Sequence, residues 1–124
     1  MLHTDITRRI IGAFYTVYNE LGYGFLEKVY EAAMLIELAE KGLQVRGQAE
    51  IRVQYRDRNI GKYFADLLVE ERVIVELKAA SALCPEHEAQ LLNYLKATEI
   101  EVGLLLNFGP EAKFIRKILA NSNK

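Results

Sequence analysis

The chain has 124 residues, of which 51% are hydrophobic and 27% charged, with a formal net charge of −1. This length and composition predict one globular domain, residues 1–124, and exclude a disordered chain. No apolar run approaches the ~20 residues of a membrane helix, and the amino terminus lacks a signal-peptide pattern, so we expect a cytoplasmic protein. Cys84 is the only cysteine, which excludes an intrachain disulfide and a cysteine-rich zinc site.

The small net charge argues against strong unspecific binding to nucleic acid, because that binding comes from neutralised phosphates. Cationic residues are nevertheless concentrated between Arg46 and Lys62 and between Lys113 and Lys117. Clusters of this kind are usually solvated faces, but a local basic surface remains open.

The first quarter of the chain predicts two helices separated by glycines. Thr4 and Asp5 are typical of a helix start, and apolar residues then recur at helical spacing to about Glu20. Gly22 and Gly24 interrupt the pattern. A second helix is expected from about Phe25 to Lys41, ending at Gly42, with Glu27, Tyr30 and Glu31 on one face. Taken alone, Glu27 is an exposed acid near the favourable amino-terminal dipole.

Alternation of apolar and polar residues begins at Val45 and predicts an antiparallel strand with one wet face. A turn is expected at Asp57–Asn59 and a second strand from about Ile60 to Val69. The third strand, Val73–Lys78, is apolar until Glu76, which predicts a central, buried strand.

Three residues of the second and third strands suggest a site. Glu76 and Lys78 are two apart, so they share a face of the third strand. A two-residue turn at Glu70-Glu71 would pair Asp66 with Val75 and turn the acids apart, whereas a loop centred on Glu71 pairs Asp66 with Glu76. No Gly or Asn is available for a primed two-residue turn, which favours the odd loop.

Two interpretations of this acidic pair are open. A cross-strand salt bridge on a solvated face would contribute only ~0–1 kcal/mol. A carboxylate near the end of a buried strand, however, is costly unless it is paired or bound to a metal. Lys78 and Asp66 are the residues expected to compensate Glu76.

The last third predicts a helix, a strand and a closing helix. Pro85 suits the first position of a helix that runs to about Ala97, on which His87, Gln90 and Tyr94 form a polar stripe. A strand from about Glu101 to Asn107 should lie parallel to the third strand, since a helix connects them. Gly109-Pro110 is expected to open a final helix, whose inward-facing residues would be Phe114, Ile115, Ile118 and Leu119.

This order of elements, with an acid on the second strand and Glu-x-Lys on the third, resembles the PD-(D/E)XK nuclease superfamily. The chain is more specifically similar to the GxxExxY proteins, small bacterial and archaeal chains usually assigned to that superfamily. The naming motif reads GFLEKVY over residues 24–30, and the similarity extends from about Gly22 to Phe108. One departure is Ala65, which stands where the superfamily motif has proline. Gln90 and Tyr94 also match the Q-x-x-x-Y motif of RecB-type exonuclease domains.

The resemblance implies a mixed α/β (α+β) fold, with a restriction-endonuclease-like α-β-β-β-α-β core flanked by an extra N-terminal helix and a C-terminal helix. It also implies a nuclease that uses Mg²⁺ or Mn²⁺, for which hard oxygen ligands are suitable. Asp66, Glu76 and the backbone carbonyl of Leu77 are the implied metal ligands. Lys78 would orient or help deprotonate the attacking water and add positive charge at the phosphate, and Glu27 would hold a second metal or a metal-bound water.

Gln90, Tyr94 and Tyr30 are the residues expected to position substrate or Lys78. The implied partner is nucleic acid, DNA ahead of RNA, and we expect a homodimer because small nucleases commonly meet two strands by twofold symmetry. The alternative is a noncatalytic module that binds nucleic acid or protein on the same fold, since fold alone does not establish activity.

Overall fold

The structure, a computed structural model, describes residues 2–124. It contains three α-helices, five strands and a short 3-10 helix, which have the following bounds. The helices are α1 (Thr4–Leu21), α2 (Glu27–Glu40) and α3 (Pro85–Ala97). The strands are β1 (Val45–Tyr55), β2 (Arg58–Val69), β3 (Val73–Lys78), β4 (Val102–Phe108) and β5 (Ala112–Ile118), and the 3-10 helix is Asn121–Asn123.

The five strands form one sheet in the order β1-β2-β3-β4-β5. The pair β3 and β4 is parallel, as expected for strands joined through α3, and the other three pairs are antiparallel. The strand β3 therefore lies in the middle of the sheet, and its first five residues are buried. This confirms the prediction of a central apolar strand that carries Glu76.

The helices cover the two faces of the sheet. On one face, α1 and α2 bury apolar side chains such as Phe14 and Met34 against Leu67, Val75 and Leu104. On the other face, Leu91, Tyr94 and Leu95 of α3 pack against Ile74 and Leu105. Successive side chains of β3 and β4 point alternately into one core and the other, which explains why neither strand has a polar face.

The expected C-terminal helix is wrong, because residues 112–118 form β5 instead. This strand pairs with β4 from Val102↔Ile118 to Phe108↔Ala112. All seven residues of β4 are buried, and without β5 the strand would bury unpaired backbone groups at an edge, which is costly. Ile115 and Leu119 pack on the core beside α3, an arrangement whose spacing also fits a short helix.

The hairpin between β1 and β2 turns one residue earlier than expected. Tyr55 pairs with Arg58, so Arg56 and Asp57 are the two turn residues. Both have positive φ, 52° and 63°, which is the conformation of a type I′ turn. This turn could not be predicted from the residues, because arginine does not favour positive φ.

Asn107 and Gly109 fix the loop that follows β3. The buried Asn107 amide accepts the Ala80 N–H at 2.9 Å and donates to the Ala80 carbonyl at 3.0 Å. Lys78 lies opposite Asn107 in the parallel register. A Cβ on Gly109 would approach the Ala80 carbonyl oxygen to 2.3 Å, so only glycine fits at this position.

We predict that Gly109→Ala lowers the free energy of unfolding by about 1–3 kcal/mol, the usual range for overpacking. The added methyl group would force the backbone at Ala80 to shift. The matched control is Gly12→Ala on α1, where a Cβ meets nothing within 4 Å and helix propensity should add up to ~1 kcal/mol. Denaturant melts of both variants measure this. A Gly109→Ala protein as stable as the wild type would contradict the packing argument.

Candidate active site

The ladder between β2 and β3 stops where the predicted acids begin. Paired positions run from Val69↔Val73 to Leu67↔Val75, and the next positions in that register are Asp66 and Glu76. Opposed positions of an antiparallel pair share a face. The expectation that an odd loop brings these two residues together is therefore confirmed.

The loop itself has three residues, Glu70–Arg72, closed by the Arg72 N–H on the Val69 carbonyl at 3.0 Å. Glu70 and Glu71 both have φ of 53°, an unusual conformation for non-glycine residues. Contacts to β1 and to Gln44, the residue before it, stabilise this loop. Arg46 donates two hydrogen bonds to the Glu71 carboxylate, at 2.8 and 3.0 Å, and the Gln44 N–H donates to the Glu70 carboxylate. The exposed loop thus sets the register of the buried acids.

Beyond the ladder, the two carboxylates replace the missing backbone hydrogen bonds. The Asp66 N–H donates to Glu76 Oε2 at 2.7 Å. In return, the Leu77 N–H donates to Asp66 Oδ2 at 2.8 Å. Each acid therefore binds the strand that carries the other, and each uses one oxygen to do so.

On its other side, β2 is also interrupted at Asp66. The ladder with β1 passes from Gly47↔Leu67 to Ala49↔Ala65 without a pair between them. Gln48, the residue opposite Asp66, has φ of 51°, and its side-chain amide donates to Glu31 Oε1 at 2.8 Å. This contact links the kink of β1 to α2.

Burial and the repulsion from nearby acids disfavour the ionised forms of Asp66 and Glu76 and so raise the pKa of each carboxyl group. Glu76 is 4% exposed, and burial followed by the charge of Asp66 raises its pKa to about 8. Burial also raises the pKa of Asp66, with further contributions from the charges of Glu31 and Glu27. Lys78 lowers both pKa values, but its effect is smaller than that of burial.

The geometry does not support the salt-bridge interpretation. Within residues 2–124, the ion pairs closer than 4 Å are Arg46–Glu71, Arg52–Glu50, Lys113–Glu111 and Lys117–Glu88. All four are at the surface, and neither Lys78 nor the two acids take part. Asp66 and Glu76 therefore lack a cation from residues 2–124 within 4 Å, and the pKa of each stays raised.

Three further predicted site residues surround the pair. Glu27 is exposed at the first position of α2, and its charge raises the pKa of Asp66 and of Glu76. On α3, the Gln90 amide donates to the Tyr94 hydroxyl at 2.9 Å. Burial and then the charge of Glu76 raise the pKa of Tyr94, and Tyr94 packs in the same core cluster as Ala65, the residue before Asp66.

Tyr30 is not brought to the site surface. Its side chain is fully buried and stacks on Phe108, with ring centroids 4.1 Å apart. Its hydroxyl donates to the Gly22 carbonyl at 2.8 Å and accepts the Phe25 N–H at 3.2 Å. In place of the expected substrate contact, Tyr30 holds the loop that leads into Glu27.

His87, which the sequence groups with Gln90 and Tyr94, has a local structural role. Its Nδ1 accepts the Cys84 N–H at 3.2 Å at the start of α3, as a helix cap does.

Sequence reasoning missed two residues near the acids. Glu31 lies one helical turn after Glu27, so spacing on the second helix was the signal that could have found it. Tyr63 is 52% exposed on β2, and its ring centroid is 5.9 Å from that of Tyr94. Its position beside α3 depends on how β2 and α3 pack, which no local pattern in the sequence indicates.

The donors fit a hard divalent cation that keeps part of its water shell. Within residues 2–124 no group of three or more His, Cys, Asp or Glu side chains is arranged to hold a metal. Two carboxylates, each with one oxygen outside the reciprocal bonds, are the oxygen donors that Asp66 and Glu76 present. Mg²⁺ is commonly bound by one or two carboxylates with several waters, whereas structural zinc requires four protein ligands.

The model of the PD-(D/E)XK nuclease superfamily matches residues 4–118, which is nearly the whole chain. The chain belongs to this superfamily. Nucleases of the PD-(D/E)XK superfamily generally depend on a divalent metal and act on nucleic acid, in agreement with the donors described above. No curated protein matches the sequence.

The fold of this PD-(D/E)XK chain is also similar to the crystal structure of SSO0001, with a TM-score of 0.60 and 14% sequence identity. The similarity covers 75% of this chain and 50% of SSO0001, so the chain spans about half the length of that protein. At this identity the likeness concerns the fold alone. No helix within residues 2–124 is long and apolar enough to cross a membrane.

We predict that Glu76→Gln stabilises the metal-free protein at neutral and alkaline pH. The folded pKa of about 8 lies above the ordinary 4.5, so the folded state binds an extra proton between these values. The free energy of unfolding should therefore fall as pH rises from 4.5 to 8 and then level off. An amide removes this dependence and can still accept the Asp66 N–H.

Thermal melts in chelator across this pH range measure the effect. The expected gain at pH 8 is on the order of a few kcal/mol, shrinking toward pH 4.5. The control is Glu40→Gln at the exposed end of α2, which should follow the wild-type curve. A clear loss of melting temperature in Glu76→Gln would instead favour a structural ion pair.

Proposed function

We propose that this chain is a metal-dependent nuclease that hydrolyses phosphodiester bonds, with DNA preferred over RNA. The observation that carries the proposal is the reciprocal bonding of Asp66 and Glu76 at the end of the β2–β3 ladder, with Lys78 two residues beyond Glu76. Membership of the nuclease superfamily supports it. We also propose, from the motif at residues 24–30, that the chain is a GxxExxY protein.

In this proposal Asp66, Glu76 and the backbone carbonyl of Leu77 hold Mg²⁺ or Mn²⁺, with Glu27 as a further ligand. The donors support it because the two acids repel each other and lack an ion pair. A divalent ion, when bound, supplies charge neutralisation at the phosphate and lowers the pKa of water. Both effects are larger in a site with restricted access to solvent.

The side chains around the acids have distinct tasks. Lys78, half-buried at the end of β3, orients the attacking water and places a positive charge beside the phosphate. Its backbone is fixed by pairing with β4 and by the Asn107–Ala80 contact that follows. Tyr94, held by its hydrogen bond from Gln90, positions the substrate strand.

We predict that Lys78→Ala lowers the cleavage rate by about 10²- to 10⁴-fold, the contribution of a positioned acid–base group. The assay is a panel of labelled single-stranded DNA, duplex DNA and RNA with Mn²⁺. Lys41→Ala, at the exposed end of α2, is the matched control and should cleave as the wild type does. Equal rates for the wild type and Lys78→Ala would exclude Lys78 from the reaction.

Calorimetric titration with Mn²⁺ tests the ligands independently of cleavage. We predict binding by the wild type and loss of binding in Asp66→Asn and Glu76→Gln, because each substitution removes a charged ligand. A folded wild type that neither binds Mn²⁺ nor cleaves any substrate would contradict the nuclease proposal. It would support the noncatalytic binding module.

We further propose a homodimer, because small nucleases commonly act as twofold dimers in which each subunit presents the same surface. The edge strand β5 supports this, since it exposes Phe114 and Ile118 by 41% and 44% and edge strands offer unpaired backbone. We predict a dimer at micromolar concentration by sedimentation, weakened in Phe114→Asp. Ile36→Asp, an exposed position on α2, is the control, and a wild type that sediments only as a monomer would exclude the dimer.

A further inference from the structure

A groove of about 730 Å³ runs between the β1–β2 hairpin and α3. The hairpin and α3 supply its walls as follows. The lining includes Val53, Gln54, Ile60, Tyr63, Gln90, Asn93 and Tyr94. Its volume is in the range of sites that bind a small organic ligand, and its lining includes Gln90 and Tyr94, which belong to the candidate active site.

The lining combines flat rings with amides. Tyr63 and Tyr94 have ring centroids 5.9 Å apart with planes tilted by 43°, and Tyr63 is half exposed. Gln54 and Asn93 supply amide groups from the two walls. A nucleobase has the complementary features, because its faces stack on aromatic rings and its edges exchange hydrogen bonds with amides.

The hairpin that forms one wall is cationic overall, although its cations do not line the groove itself: Arg52 and Lys62 line a separate pocket. Between Arg46 and Lys62 the sequence has five cations and two acids, a net charge of +3 in a chain of net −1. At the tip, Arg56 lies over the Tyr55 ring at 5.0 Å, and on β2 Lys62 lies over the Phe64 ring at 5.9 Å. A polyanion is therefore attracted to the hairpin, whereas the acids of the candidate active site repel it.

The groove is near the acids through Tyr94, which packs in the same core cluster as Ala65, the residue before Asp66. Tyr94 lines the groove, and the charges of Glu76 and Asp66 both raise the pKa of its hydroxyl. A strand that lies along the groove thus passes Tyr94, beside the residues proposed to cut it.

We propose that this groove binds an unpaired strand of nucleic acid, with a base near the cleaved phosphate stacked on Tyr63. A duplex cannot present a base face to Tyr63, since its bases are stacked on one another. The proposal makes single-stranded nucleic acid, or a substrate with an unpaired end, the substrate class. It rests on the proposed function because that function makes the acids the place of cleavage, but the binding can be measured without cleavage.

The test is fluorescence anisotropy in chelator with labelled single-stranded oligonucleotides, as DNA and as RNA. Tyr63→Ala should weaken binding of the tighter oligonucleotide by about 5- to 150-fold, the factor for one lost stacked base. Tyr63→Phe keeps the ring and should bind as the wild type does. Thermal melts check that both variants are folded.

A change in the ligand gives a second readout that does not depend on any variant. An oligonucleotide with abasic positions should bind the wild type more weakly than the intact strand, and Tyr63→Ala should not weaken it further. A duplex of the same sequence should bind more weakly than the single strand.

Equal affinity for intact and abasic strands, tighter binding of duplex than of single strand, or no binding of any oligonucleotide would overturn the proposal. Base-dependent binding without cleavage in Mn²⁺ would leave it standing and remove the nuclease proposal. The two failures are therefore distinguishable.

Discussion

The separation of β2 from β3 after Leu67↔Val75 is the constraint on which the site depends. A buried strand end must satisfy its backbone groups, and here two carboxylates do so, each bound to the opposite strand. Asp66 and Glu76 are thus fixed by hydrogen bonds that the fold needs. The same bonds leave two acids close together, with the pKa of each raised by burial.

The rest of the sheet keeps this opening in place. The strand β4 is paired on both sides, with β3 and with β5. This pairing limits the movement of β3, the strand that carries Glu76. Asn107 extends this support past Lys78 by bonding both backbone groups of Ala80. On the side of β1, the kink at Gln48 bonds Glu31 and so joins α2 to the strand that carries Asp66.

The residues explain which features could be predicted. Asp66, Glu76 and the loop between them follow from strand parity and the lack of Gly or Asn, which are local rules. Pro85 marks the start of α3 for a similar local reason. The apolar spacing of residues 112–119 fits a helix as well as a strand. The strand is favoured because it satisfies the backbone hydrogen bonds of the buried β4. Tyr30 was expected beside the substrate because a motif shows which residues occur together, whereas the orientation of its side chain, buried against Phe108, depends on packing.

Charge is divided between the parts of the surface in a way that bears on substrate binding. Glu27, Glu31, Asp66 and Glu76 place four acids near one lysine, whereas the hairpin from Arg46 to Lys62 is cationic. A phosphate is therefore repelled by the acids until a cation neutralises them. In the proposed binding mode, the groove beside α3 holds a strand without that cation. In the proposed function, strand binding is thus separable from metal binding, and the metal would be needed only where the phosphate meets the acids.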